Sequence, residues 1–145
     1  MARYSSGGTA AGAGTTVRPI VGLLSTATET PLLREIQLWN TTAFACTYRL
    51  VQFTGGTAGT GLAERKHRRN APASVATAFH MWTADVTTVD EDTGYRIVVG
   101  AGAGNAGILT FGGEGLEGEL GATKGLGLVP VGTGQICEFV IAWDL

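Results

Sequence analysis

The sequence predicts an all-β fold, an antiparallel β-sandwich of jelly-roll type with about eight strands. Three observations carry that reading. Short apolar runs alternate with a period of two, no segment sustains a helical period, and 23 glycines punctuate the runs. The 145 residues fit one domain, and the 44% hydrophobic share is enough to build one core without disulfide or metal staples.

Residues 1–16 read as an extended Gly/Ala-rich arm and residues 17–145 as a single sandwich domain. Ser5 to Thr16 offers almost only Gly, Ala, Ser and Thr, too little bulk for a core. The arm is therefore expected to be flexible and separable from the sandwich, ordered only where something holds it down.

Val17 to Leu24 reads as a first strand, with Pro19 placing it at an edge. Leu33 to Trp39 follows, with Arg34, Ile36 and Leu38 on one face. Asn40-Thr41-Thr42 is a turn into Phe44 to Phe53, whose Phe44, Cys46, Tyr48 and Leu50 share a face, so the two runs predict a hairpin. Thr54 to Gly61 reads as a glycine loop, and Leu62 to Pro72 as irregular, with room for a helical turn or two over Leu62 to Arg69. Val75 to Trp82 is a strand, with Val75, Thr77, Phe79 and Met81 on one side. An acidic turn over Asp85 to Gly94 precedes a strand over Tyr95 to Ala101. Ile108 to Phe111 and Leu126 to Val131 are short strands around a long acidic, glycine-punctuated loop. Gln135 to Asp144 is the clearest strand, lining one face with Cys137, Phe139, Ile141 and Trp143.

No motif predicts catalysis. Gly102 to Gly107 matches the dinucleotide-binding glycine pattern, but Ile108-Leu109-Thr110-Phe111 and two glycines follow it. A nucleotide site needs a helix there, so the segment reads as a hairpin loop. Asp90-Glu91-Asp92-Thr93-Gly94 resembles a calcium loop but lacks the late glutamate, and reads as a turn. Glu114, Glu117 and Glu119 read as a solvated or interface loop. His67 and His80 are the only histidines, without metal-ligand spacing or a nucleophile turn. Cys46 and Cys137 sit in apolar runs and read as small core residues. A non-enzymatic chain without cofactor or metal is the expectation.

The net charge of -2 gives no global field for nucleic acid or acidic membranes, so neither is expected as a partner. The first eight residues lack the apolar core of a signal peptide, which predicts synthesis in the cytoplasm. One charge feature stands out. Arg65, Lys66, Arg68 and Arg69 crowd around His67 and suit docking to carboxylates. With Arg3, Tyr4 and Arg18 of the N-terminal region, they are the candidate interface residues.

Leu33-Arg34-Glu35-Ile36-Gln37-Leu38-Trp39-Asn40-Thr41-Thr42 resembles a stretch found in small virion proteins of tailed bacteriophages. Met1-Ala2-Arg3-Tyr4 is similar to the start of such proteins, and Val131 to Phe139 with Trp143-Asp144 to their end. The resemblance implies a head decoration, or cement, protein. Such a protein binds the major capsid protein on the outside of the shell, and self-associates, with a trimer favoured. The alternative it leaves open is a tail or collar component, or a receptor- or glycan-binding fibre knob. In a knob, aromatics such as Trp39, Tyr48 or Trp82 would cluster on an outer face.

Overall fold

The computed structural model describes residues 1–10 and 12–145, without the side chains of residues 88–91. Twelve strands form among the described residues. They are β1 (Arg3–Thr9), β2 (Val21–Leu24), β3 (Leu32–Asn40), β4 (Cys46–Thr54), β5 (Thr57–Gly61) and β6 (Arg65–Lys66), then β7 (Thr77–Ala84), β8 (Thr87–Val99), β9 (Ala106–Thr110), β10 (Leu116–Glu117), β11 (Lys124–Pro130) and β12 (Cys137–Asp144). One sheet runs β10-β3-β12-β1-β6, with β9 also pairing β3; the other runs β5-β7-β2-β11-β4-β8. Every pairing is antiparallel. The two sheets face each other across one core, so the all-β, two-layer expectation holds.

The core follows from period-two patterning. Cys137, Phe139, Ile141 and Trp143 all point inward from β12, as their spacing predicts. They meet Cys46, Tyr48 and Leu50 of β4 and Val21 and Leu23 of β2 from the opposite layer. A buried leucine, isoleucine or phenylalanine contributes about 1.5–3 kcal/mol relative to exposure, so this face supplies most of the driving force.

The N-terminal arm is the largest correction. Residues 3–9 are strand β1, paired along their whole length with β12 and at Tyr4 and Ser5 with β6. Tyr4 is 1% exposed and stacks on Trp143 at 5.9 Å between ring centroids. Its hydroxyl donates to the Pro72 carbonyl at 3.0 Å. Glycines and serines do not build this strand by propensity; the strand beside them and one tyrosine anchor do.

The other departures have local causes. β3 and β4 do not form a hairpin, because they belong to different sheets. Asn40 turns the chain across the layers: its side-chain amide donates to the carbonyls of Phe44 (2.5 Å) and Gly100 (2.8 Å), and its carbonyl oxygen accepts from the Thr42 amide. Phe44 falls outside β4 and is exposed. β2 is central, between β7 and β11, with Pro19 just before it. The expected glycine loop contains β5, and the expected helical turn contains β6. β10 interrupts the long acidic loop. The expected acidic turn is the first part of β8, a 13-residue strand with Gly94 at φ 85. The side chains of Asp90 and Glu91, two of the five residues of the calcium-like pattern, lie outside the described residues. Gly102 to Gly107 runs from β8 into β9, which lie in different sheets, so it is a crossover and not a hairpin loop.

Register shifts interrupt three pairings, β3–β12, β4–β8 and β5–β7. The β3–β12 register shifts so that Ala142 faces Glu35 while Trp143 faces Leu33. Leu33 therefore takes the core position, and Arg34, expected beside Ile36 and Leu38, swings outward. On β7, Met81 adopts φ 57, and the register with β5 shifts further on, between Trp82 and Ala84. Phe79 and Trp82 thereby reach the same outer face of the second sheet, where Trp82 meets Phe53 edge-on at 5.1 Å. Gly22 makes room for them: a Cβ there would lie 2.6 Å from the Trp82 ring.

Candidate interaction surface

The basic edge begins with β6, the last strand of its sheet. Arg65 and Lys66 pair with Ser5 and Tyr4 of β1, and the His67 amide donates to the Arg3 carbonyl at 3.0 Å. The chain then turns through Arg68 to Ala71, closed by a 3.0 Å bond from the Ala71 amide to the Arg68 carbonyl. Residues 65 to 69 are all exposed.

The ion pairs sort the cations. Arg3 and Arg34 share Asp144, Arg18 pairs with Asp85, Arg49 and Arg96 share Asp92, and Lys124 pairs with Glu119. The remaining four of the ten Lys and Arg residues are Arg65, Lys66, Arg68 and Arg69. Among the described residues, none of these four has an acidic partner or a side-chain hydrogen bond. The uncompensated positive charge of the described surface is thus confined to one sheet edge. A cation without an internal partner keeps its full capacity to meet carboxylates on another molecule.

A groove of about 630 Å³ adjoins this edge. Pro72, Val75 and Leu145 give it apolar walls, while Arg68, Asn70 and Glu29 bring polar groups to it. Val75 is 52% exposed. Charge beside an apolar trough is the composition of a docking surface, with a desolvated centre and a polar rim.

The other candidate residues divide. Tyr4 lines the same groove but is buried, so it serves as its floor. Arg3 stands next to the edge and is held by Asp144. Arg18 is elsewhere, bonded to Asp85 at 2.6 Å, and does not join the basic edge. Sequence reasoning did not find Pro72, Val75 and Leu145. Only the pairing of the two chain ends brings them together: Ala2 and Leu145 exchange backbone bonds of 2.7 and 3.0 Å.

Asp144 is almost buried, and hydrogen bonds from Arg3 hold its carboxyl below the usual range, with Arg34 adding to the effect. At one end of the core, the Tyr48 hydroxyl donates to the Gln135 carbonyl at 2.5 Å and lies 3.4 Å from Cys137 Sγ. Burial pushes both Tyr48 and Cys137 up, so each stays protonated at neutral pH. Both cysteines are free and buried. Among the described residues no three His, Cys, Asp or Glu side chains come together to hold a metal ion.

Of the three aromatics that a glycan-binding face would need, Tyr48 and Trp82 are buried and Trp39 is partly exposed. Comparison with known protein families, with curated proteins and with solved structures finds no match.

Proposed function

We propose that this chain is a non-enzymatic structural protein of a phage particle, a jelly-roll-like sandwich that decorates the outside of the head shell. The observation that carries the reading is the basic edge. Arg65, Lys66, Arg68 and Arg69 have no acidic partner among the described residues, and they border an apolar groove. Such an edge suits an acidic, partly apolar surface repeated over a lattice, where many weak contacts add. The resemblance of residues 1–4, 33–42 and 131–139 with Trp143-Asp144 to tailed-phage virion proteins suggests the assembly. The major capsid protein is then the partner, and a homo-oligomer, with a trimer favoured, is the binding unit.

Co-sedimentation with purified empty phage heads tests this. Saturable binding at a fixed copy number per head is expected, weakening as salt rises through about 0.15–1 M, where the screening length falls from roughly 8 to 3 Å. An Arg68→Glu/Arg69→Glu variant is expected to stay folded and bind weakly. Absence of sedimentation at low salt, or equal binding by the variant, overturns the proposal.

A further inference from the structure

The first sheet carries a second feature at the far end of β1 from the basic edge. Along β1, Tyr4 and Thr9 are separated by roughly 17 Å. Thr9 faces Glu138, and Glu138 faces Trp39, in one row across β1, β12 and β3. Trp39 lines a cleft on each side. One, of about 380 Å³, is completed by Thr41, Ala103, Gly104 and Glu138; the other, of about 300 Å³, by Gly7, Gly8, Thr9 and Glu138. Glu138 is exposed and lines both clefts, and among the described residues its side chain has no hydrogen bond or ion pair.

We infer that this row is a binding site for a neutral oligosaccharide of at least two sugar rings. The indole offers a flat apolar face for the C–H face of a pyranose. Residues directly opposite on paired strands hold their Cβ atoms about 4.5–5.5 Å apart, so the Glu138 carboxylate lies within reach of a ring seated on Trp39. A carboxylate without a partner accepts two O–H groups and repels an anionic ligand. Gly7 and Gly8 in one cleft and Ala103 and Gly104 in the other are small, beside Thr9, Val140 and Thr41, so a ligand can continue from one cleft into the other. A lone cationic side chain would suit the indole and carboxylate too. It would fill one cleft and leave the other empty. This site is separate from the basic edge and does not depend on its role.

Intrinsic fluorescence tests the inference, because Trp82 and Trp143 are 1% and 0% exposed and solvent-sensitive emission comes from Trp39. The probes are cellotetraose, maltotetraose, chitotetraose and mannotetraose, titrated into the full chain to about 10 mM, a weak-binding ceiling. Saturable protection from acrylamide quenching by at least one of them is expected. Trp39→Ala is expected to weaken that binding about tenfold or more, read by calorimetry. Glu138→Gln, which keeps shape and removes charge, is expected to weaken it several-fold with an unchanged circular dichroism spectrum. Three results overturn the inference: no protection by any of the four, equal binding by both variants, or protection that tracks protein concentration alone. The last would mean that a second copy of the chain covers Trp39.

Discussion

Arg3 and Asp144 clasp the two outermost regions of the chain. Arg3 Nε donates to Asp144 Oδ1 at 2.8 Å and its Nη2 to Oδ2 at 3.1 Å, while Arg34 Nε donates to Oδ2 at 2.6 Å. The Asp144 side chain is 6% exposed and that of Arg34 12%, against 49% for Arg3. Removing the carboxylate charge strands Arg34 in a poorly solvated place. Asp144→Asn is therefore expected to cost about 3 kcal/mol in urea unfolding. Arg3→Ala is expected to cost under about 1 kcal/mol, because its guanidinium is half in water.

The same clasp sets an acid dependence. The carboxyl pKa of Asp144 is lowered by its bonds from Arg3, and that of Asp92 by its bond from Arg96. A carboxyl depressed in the folded state contributes stability that is complete above its unfolded value of about 3.9 and is lost as pH falls through the lower folded value. Unfolding midpoints in urea are expected to be flat near neutrality and to fall below about pH 4. In Asp144→Asn the acid-side fall is expected to be shallower.

Strand β1 is a structural member and not a tether. Tyr4→Ala removes a buried ring that stacks on Trp143, and is expected to cost about 3–5 kcal/mol. Deleting residues 2–9 exposes the whole edge of β12 and is expected to abolish the cooperative transition in circular dichroism. A deletion that melts normally would show that the arm and the sandwich are independent.

The outer aromatic cluster depends on Gly22. A Cβ at that position would sit 2.6 Å from Trp82 Cη2, and Trp82 also packs on Phe53 and Phe79. Gly22→Ala is expected to cost about 1–3 kcal/mol by overpacking. A changed near-ultraviolet circular dichroism spectrum with intact far-ultraviolet signal would locate the disturbance at the rings.

Met81 supports the same cluster through its backbone. Its φ of 57 lies in the left-handed region, which costs a branched side chain most. Met81→Val is expected to destabilise by about 1–3 kcal/mol, and Met81→Asn by much less, since asparagine tolerates this conformation. Equal losses in the two variants would assign the effect to Met81 packing against Gly12 instead of to the bulge.

The period-two pattern was enough to place β3, β4, β7, β9, β11 and β12 and to pick the inward face of β12, because side-chain alternation is a local property of an extended chain. The run of Arg65, Lys66, Arg68 and Arg69 is also legible without coordinates. That these four lack partners is not, since pairing depends on which carboxylates the fold brings near the other six cations. The hairpin expected between β3 and β4 failed for the same reason: sheet membership is set by the long-range partners β12 and β11, whose paired residues lie 70 or more positions away, as in Lys124 with Thr54. Arg34 and Trp82 changed faces because a bulge inserts one residue, and its place is chosen by packing across the sheet. β1 was invisible to propensity because small polar residues form a strand there only when Tyr4 and the edge of β12 compensate for their lost entropy. Composition and alternation determined by themselves that this chain is a layered β protein. Tertiary structure alone decided which residues close its core, which cations remain free, and which indole still faces water.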